Sequence, residues 1–210
     1  MASKNLENLR KFVAPEFVFG VGARKLSGRY LDNLGIKKVL IVTDEGVKNA
    51  GWLDKITISL EERDIDYVIY DNVSPNPRDY EVADGSEIYL KNKCSGIIAI
   101  GGGSPMDAAK GIGIVSSNGG NILDYEGVDE IKTSIPPLVC VPTTSGSSAD
   151  VSQFAIITDT KRKVKIAIIS KAVVPDVSLI DPETATTMDK DLTAATGLDA
   201  LTHAVEALVS

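Results

Sequence analysis

Histidine occurs once in the 210 residues and cysteine twice. Cys94 and Cys140 lie far apart with no C-x-x-C pattern, which excludes a zinc knuckle or a redox pair; both are expected to be reduced, half-buried core residues. An excess of positive charge is also missing. Lys and Arg total 22 against 29 Asp and Glu, a formal net charge of -7, and the basic residues are scattered rather than gathered in a stripe. That argues against nucleic acid or an anionic membrane as partner, and any anionic ligand must then be held by local backbone donors. No apolar run approaches a membrane span, and the charged stretch Met1 to Lys11 lacks the apolar core of a secretory signal, so a cytoplasmic location is expected. Internal repeats, low-complexity segments, G-x-G-x-x-G and the G-K-[ST] of a P-loop are all absent.

What is present is ample for a packed core: 43% of residues are apolar. Strand-length apolar runs, KKVLIVTD at 37 to 44, DYVIYD at 66 to 71, GIIAIG at 96 to 101 and PPLVCVP at 136 to 142, alternate with helix-length segments at 46 to 63, 79 to 93 and 105 to 117. This βα repeat predicts an α/β domain with a parallel sheet covered on both faces. Turn signals at Ser74 to Pro77 and Asn118 to Gly120 punctuate it. EFVFGVG at 16 to 22 reads as a further short strand, SQFAIITD and VKIAIIS around TKRK as an antiparallel hairpin, and VSLIDPE at 177 to 183 as a strand stopped by Pro182. From Asp191 a helix is expected to run to the last residue without a C-cap, which reads as a truncated chain.

Four groups of residues carry chemistry. GGGSPMDAAK at 101 to 110 puts three glycines between a buried strand and a helix, with Ser104 read as N-cap, Pro105 as N1 and Asp107 as N3 of a capping box. Such a turn lets a pyrophosphate approach free backbone N–H groups and the helix dipole, although a plain tight turn has the same residues. Asp44, at the carboxyl end of the first long strand, is placed either to accept both ribose hydroxyls of NAD and repel the extra phosphate of NADP, or simply to cap a turn. PTTSGSSAD at 142 to 150 offers neutral hydroxyl donors, or is a polar turn. Asp199 and His203, four residues apart on one helix face, could share a cation or pair with each other; Glu206 on that face is read as a supporting or surface group.

Together GGGSPMDAAK, PTTSGSSAD, VPDVSLIDPE and AATGLDALTHAVEA, in this order, resemble the iron-containing (group III) alcohol dehydrogenases, over the chain from about Pro15 onward. The resemblance implies a Rossmann-like, dehydroquinate synthase-like nucleotide-binding domain over 1–185 and, over 186–210, the first helix of an all-helical metal and substrate domain whose remainder is absent. It implies NAD(H) as cofactor, with Gly101, Gly102, Gly103 and Ser104 on the pyrophosphate and Asp44 selecting NAD. Asp107 is then expected to cap the helix, with a contact elsewhere in the nucleotide site. Thr143, Thr144 and Ser147, with Asp150 and Val151 beside them, would line the adenosine and nicotinamide ends, and Lys165 would lie near the ribose. Asp199 and His203 would be the first two ligands of Fe(II), with Zn(II) as the rival, and two later histidines would complete the set. The expected reaction interconverts a small primary alcohol and its aldehyde, in a homodimer built through the N-terminal strand. No catalytic proton shuttle is identified. Two alternatives remain: a related glycerol dehydrogenase, maleylacetate reductase or dehydroquinate synthase, and a nucleotide-binding or interaction module without catalysis.

Overall fold

The computed structural model describes residues 14–209; residues 1–13, where the leader reading falls, and Ser210, the expected end of the last helix, lie outside them. Among the described residues six strands form one parallel sheet in the order β1-β9-β6-β4-β2-β3: β1 (Glu16–Phe19), β2 (Lys38–Val42), β3 (Asp66–Tyr70), β4 (Gly96–Gly101), β6 (Leu138–Pro142) and β9 (Val177–Ile180). The expected α/β architecture is therefore observed. The hairpin β7 (Phe154–Asp159) and β8 (Val164–Ile169) is antiparallel, and a short β5 (Gly127–Val128), which the sequence did not suggest, adds to its edge.

Side-chain alternation along β2 shows why both faces are covered. Val39 and Ile41 enter one cluster with Leu31 of α1 (Ser27–Asn33) and with Ile56 and Leu60 of α3 (Trp52–Glu61). Leu40 and Val42 enter the other with Val82 of α4 (Asp79–Lys91) and with Met106 and Ile112 of α5 (Gly103–Asn118). Each fully buried aliphatic side chain contributes about 1.5–3 kcal/mol, so a strand with four such positions is committed to this register. Cys94 and Cys140 are unpaired, as expected, and both are buried rather than half-buried, Cys140 completely.

Two local expectations are corrected. The stretch 46 to 63 is not one helix but α2 (Glu45–Asn49) and α3, separated at Gly51, whose φ of 76° breaks the α-helical path. At the glycine turn, α5 starts earlier than expected: Gly102 is the N-cap, so Ser104 and Asp107 lie inside the helix and neither caps it. After β9, Asp181 caps a 3-10 turn over Pro182–Thr187, and α6 (Lys190–Val209) follows with no buried residue.

β2 leads to β3 on one side of the sheet and β4 leads to β6 on the other. The chain direction therefore switches between β2 and β4, the place where open α/β sheets bind ligands at the carboxyl ends of their strands.

Candidate functional site

At that switch point lies a cleft of about 800 Å³, which brings together Asp44, Gly102, Gly103, Ser104, Thr144 and Ser147 and reaches Asp199 on α6. The elements that build it were read separately in the sequence; the sheet order makes them neighbours.

The glycine turn follows β4 directly. A Cβ on Gly102 would stand 3.0 Å from Thr144 Oγ1, and one on Gly103 would stand 3.0 Å from Ser147 Oγ. Glycine here leaves backbone facing hydroxyls with no side chain between, a cradle for an anion at the N-terminus of a 16-residue helix. The hydroxyl loop is fastened to the turn by Thr143, whose N–H donates to the Gly101 carbonyl at 2.9 Å. Thr143 itself is buried behind the cleft.

Asp44 caps a helix and also stands in the cleft. One carboxylate oxygen accepts from the Val47 N–H at 2.9 Å and caps α2, while the residue also forms the cleft wall. Ser104 Oγ, instead of capping, accepts from the Asn76 N–H at 3.1 Å and so ties α5 to the turn after β3.

The remaining expected cofactor residues stand behind the wall. Gly101 is buried below the turn. Asp107 is half-buried against the hairpin, where burial, only partly offset by Lys110 and a hydrogen bond from the Ile156 backbone, raises its pKa to about 7. Asp150 is buried and accepts from Ser178 Oγ of β9 at 2.6 Å. Val151 is half-buried and Lys165 is exposed on β8; neither lines the cleft.

Three features escaped the sequence reading. Lys110 is fully buried, and its Nζ donates to the Ser152 carbonyl at 2.9 Å, to Ser152 Oγ at 3.2 Å and to the Phe154 carbonyl at 2.7 Å, which pins the hairpin to α5. The SPNP turn, read only as punctuation, contributes Ser74 and Pro75 to the cleft, with Asn72 and Arg78 flanking them. The prolines on either side of Asn76, whose φ is 59°, were the available sign that this turn is shaped for something. The third is Asp71, at the carboxyl end of β3, which also lines the cleft.

On α6, His203 Nε2 lies 3.7 Å from Asp199 Oδ1, and both side chains are more than half exposed. Asp199 faces the cleft and His203 does not line it. A carboxylate and an imidazole on successive turns fit part of a first-row metal's ligand set. Among the described residues no group of three or more such donors is found, nor is any helix long and apolar enough to cross a membrane.

Comparison with known proteins agrees with this geometry. The family model for iron-containing alcohol dehydrogenase matches residues 14–182. Alcohol dehydrogenase 4 of Schizosaccharomyces pombe is 46% identical over 95% of this chain and 47% of its own length. The NAD-dependent methanol dehydrogenase of Bacillus methanolicus is 39% identical over 95% of this chain and 52% of its own. The crystal structure of a 1,3-propanediol oxidoreductase superposes with a TM-score of 0.92 at 40% identity, covering 94% of this chain and 52% of that one. The chain thus spans about half the length of the relatives it matches.

Proposed function

Because the chain belongs to the iron-containing alcohol dehydrogenase family, we propose that it provides the NAD(H) site and two metal ligands of an enzyme that interconverts a small primary alcohol and its aldehyde. The observation that carries this reading is a single cleft holding Asp44, the Gly102 and Gly103 cradle and Asp199 together.

In that cleft the free N–H groups of the first turn of α5 receive the pyrophosphate, and no basic side chain is needed because the helix dipole supplies the positive potential. Asp44 keeps one oxygen on α2, which orients the carboxylate toward the ribose hydroxyls. Thr144 and Ser147, beside Gly102 and Gly103, offer hydroxyl donors to the same ligand. Thr143, Asp150 and Lys110 hold that wall in place from behind. When bound, NAD(H) supplies the hydride donor or acceptor and iron the Lewis acid that lowers the pKa of the alcohol. Asp199 and His203 are the ligands this chain offers, and the family's description favours iron over zinc. Two unpaired buried cysteines suit a reducing, cytoplasmic setting.

The 210-residue chain by itself is expected to hold little iron and to show no turnover, so the test uses a form of the protein that carries the two later histidines, with and without His203→Ala, and measures iron by elemental analysis, turnover, and NADH affinity by calorimetry. Loss of iron and turnover with NADH affinity retained is the expected result. A variant that keeps both its iron and its rate would make α6 a structural helix only.

A further inference from the structure

β2 and β3 pair in parallel register with Val42 opposite Tyr70, and the Thr43 N–H extends the ladder to the Tyr70 carbonyl at 3.0 Å. Carried one residue on, this register brings Asp71 opposite Thr43, the neighbour of Asp44, and both acids line the cleft. Asp71 is not alone there. Its Oδ2 lies 2.6 Å from Nζ of Lys48, a residue of α2 one helical turn beyond Asp44. The hydrogen bond to Lys48 holds the Asp71 carboxyl below the usual range even against its partial burial, and the bond to Asp71 raises the Lys48 ammonium in turn. Lys48 itself does not line the cleft; Asp71 does, with the ammonium behind it.

An ion pair with side chains 54% and 38% exposed adds little to stability. Its position matters more. A lysine one turn from the carboxylate that would receive the ribose is within a flexible four-carbon stem's reach of whatever the 2′-oxygen carries, and an ammonium is a strong partner for phosphate. We propose that Asp71 is a specificity-determining residue for the cofactor: by pairing with Lys48 it withholds that ammonium from the 2′-phosphate of NADP(H). Asp44 repels the phosphate, and Asp71 removes the cation that would otherwise attract it. Glu45, three residues before Lys48 on the same helix, is the other acid near the ammonium and the lesser influence on it. This inference rests on reading the cleft as an NAD(H) site.

The experiment measures NADH and NADPH affinities by calorimetry for the unmodified protein, Asp71→Asn, Lys48→Gln and the double variant. Since the pair is exposed, all four should fold with similar thermal midpoints. Asp71→Asn should tighten NADPH about tenfold with NADH little changed, a gain that shrinks as salt is added. Lys48→Gln should abolish that gain in the double variant and leave NADH binding unaltered on its own. The proposal is overturned if Asp71→Asn leaves NADPH affinity where it was, with Glu45 taking over the freed ammonium. It is equally overturned if the gain survives in the double variant, since Asp71 would then act through its own charge. If the unmodified protein binds neither nucleotide, the reading of the cleft falls and this inference falls with it.

Discussion

Lys110 and Asp107 lie within one turn of each other on α5, and the fold treats them differently. Lys110 is fully buried, and although three oxygen acceptors replace part of its lost hydration, burial still lowers its pKa. Asp107 gains less, and burial dominates, lifting its pKa from 3.8 to about 7. The sign of the consequence follows from linkage. The folded chain holds this proton more tightly than the unfolded chain does, so the group's stabilising contribution is complete below about pH 4 and is lost as pH rises through about 7. Thermal midpoints measured from pH 5 to pH 8 should fall in the unmodified protein and fall less in Asp107→Asn, which is neutral throughout. Parallel slopes in the two proteins would show that Asp107 is not the group responsible.

Between elements, the contact that matters most joins the hydroxyl loop to α6. Gly146 has φ +100°, and a Cβ there would meet Asp199 Oδ2 at 2.6 Å and the Thr196 carbonyl at 2.9 Å. Ser145 Oγ also donates to Thr196 Oγ1 at 3.3 Å. The loop that walls the cleft is thus pressed against the residue expected to hold metal, with no room for a side chain. Gly146→Ala should cost about 1–3 kcal/mol in backbone strain and should also displace the Asp199 carboxylate. In a form that carries the two later histidines, iron retained after dialysis should drop below that of the same protein with Gly146, while a variant that keeps its iron would separate the loop from the metal site. This contact was illegible in the sequence, where Gly146 and Asp199 are 53 residues apart and nothing local links them.

For the whole molecule, the N-terminal strand is fastened from the far end of the chain. The buried Arg24 guanidinium bonds Asp181 and lies 2.6 Å from Glu183 Oε2, and Asp181 also accepts from the Gly22 N–H at 3.1 Å. That network locks β1 beside β9, and among the described residues the outer edge of β1 has no strand partner, with Phe17, Phe19 and Val21 at 63%, 71% and 76% exposure. An apolar edge of this kind invites strand pairing with a second copy. We expect a homodimer through β1. Sedimentation should give twice the chain mass, and Phe17→Lys with Phe19→Lys should return it to the monomer; a monomeric unmodified protein would count against the assembly.

The sequence by itself determined what depends on neighbours along the chain. Strand-length apolar runs separated by helix-length segments gave a parallel sheet, and β2, β3, β4, β6 and β9 lie where those runs are. The hairpin and the glycine turn were legible for the same reason: period, Gly, Pro and charged turns act within a few residues. The family motifs were legible because they are contiguous. Tertiary structure alone decided which polar groups face the cleft. Order in the sheet is set by packing between segments far apart, so it took the β3-β2-β4-β6 arrangement to bring Asp71 into the cleft with Asp44 and to set Thr144 against Gly102. The same packing turned Asp150 toward Ser178 and buried Lys110 under the hairpin. A carboxylate's or an ammonium's role depends on the water, charge and donors around it, and those come from residues that the chain brings close only by folding.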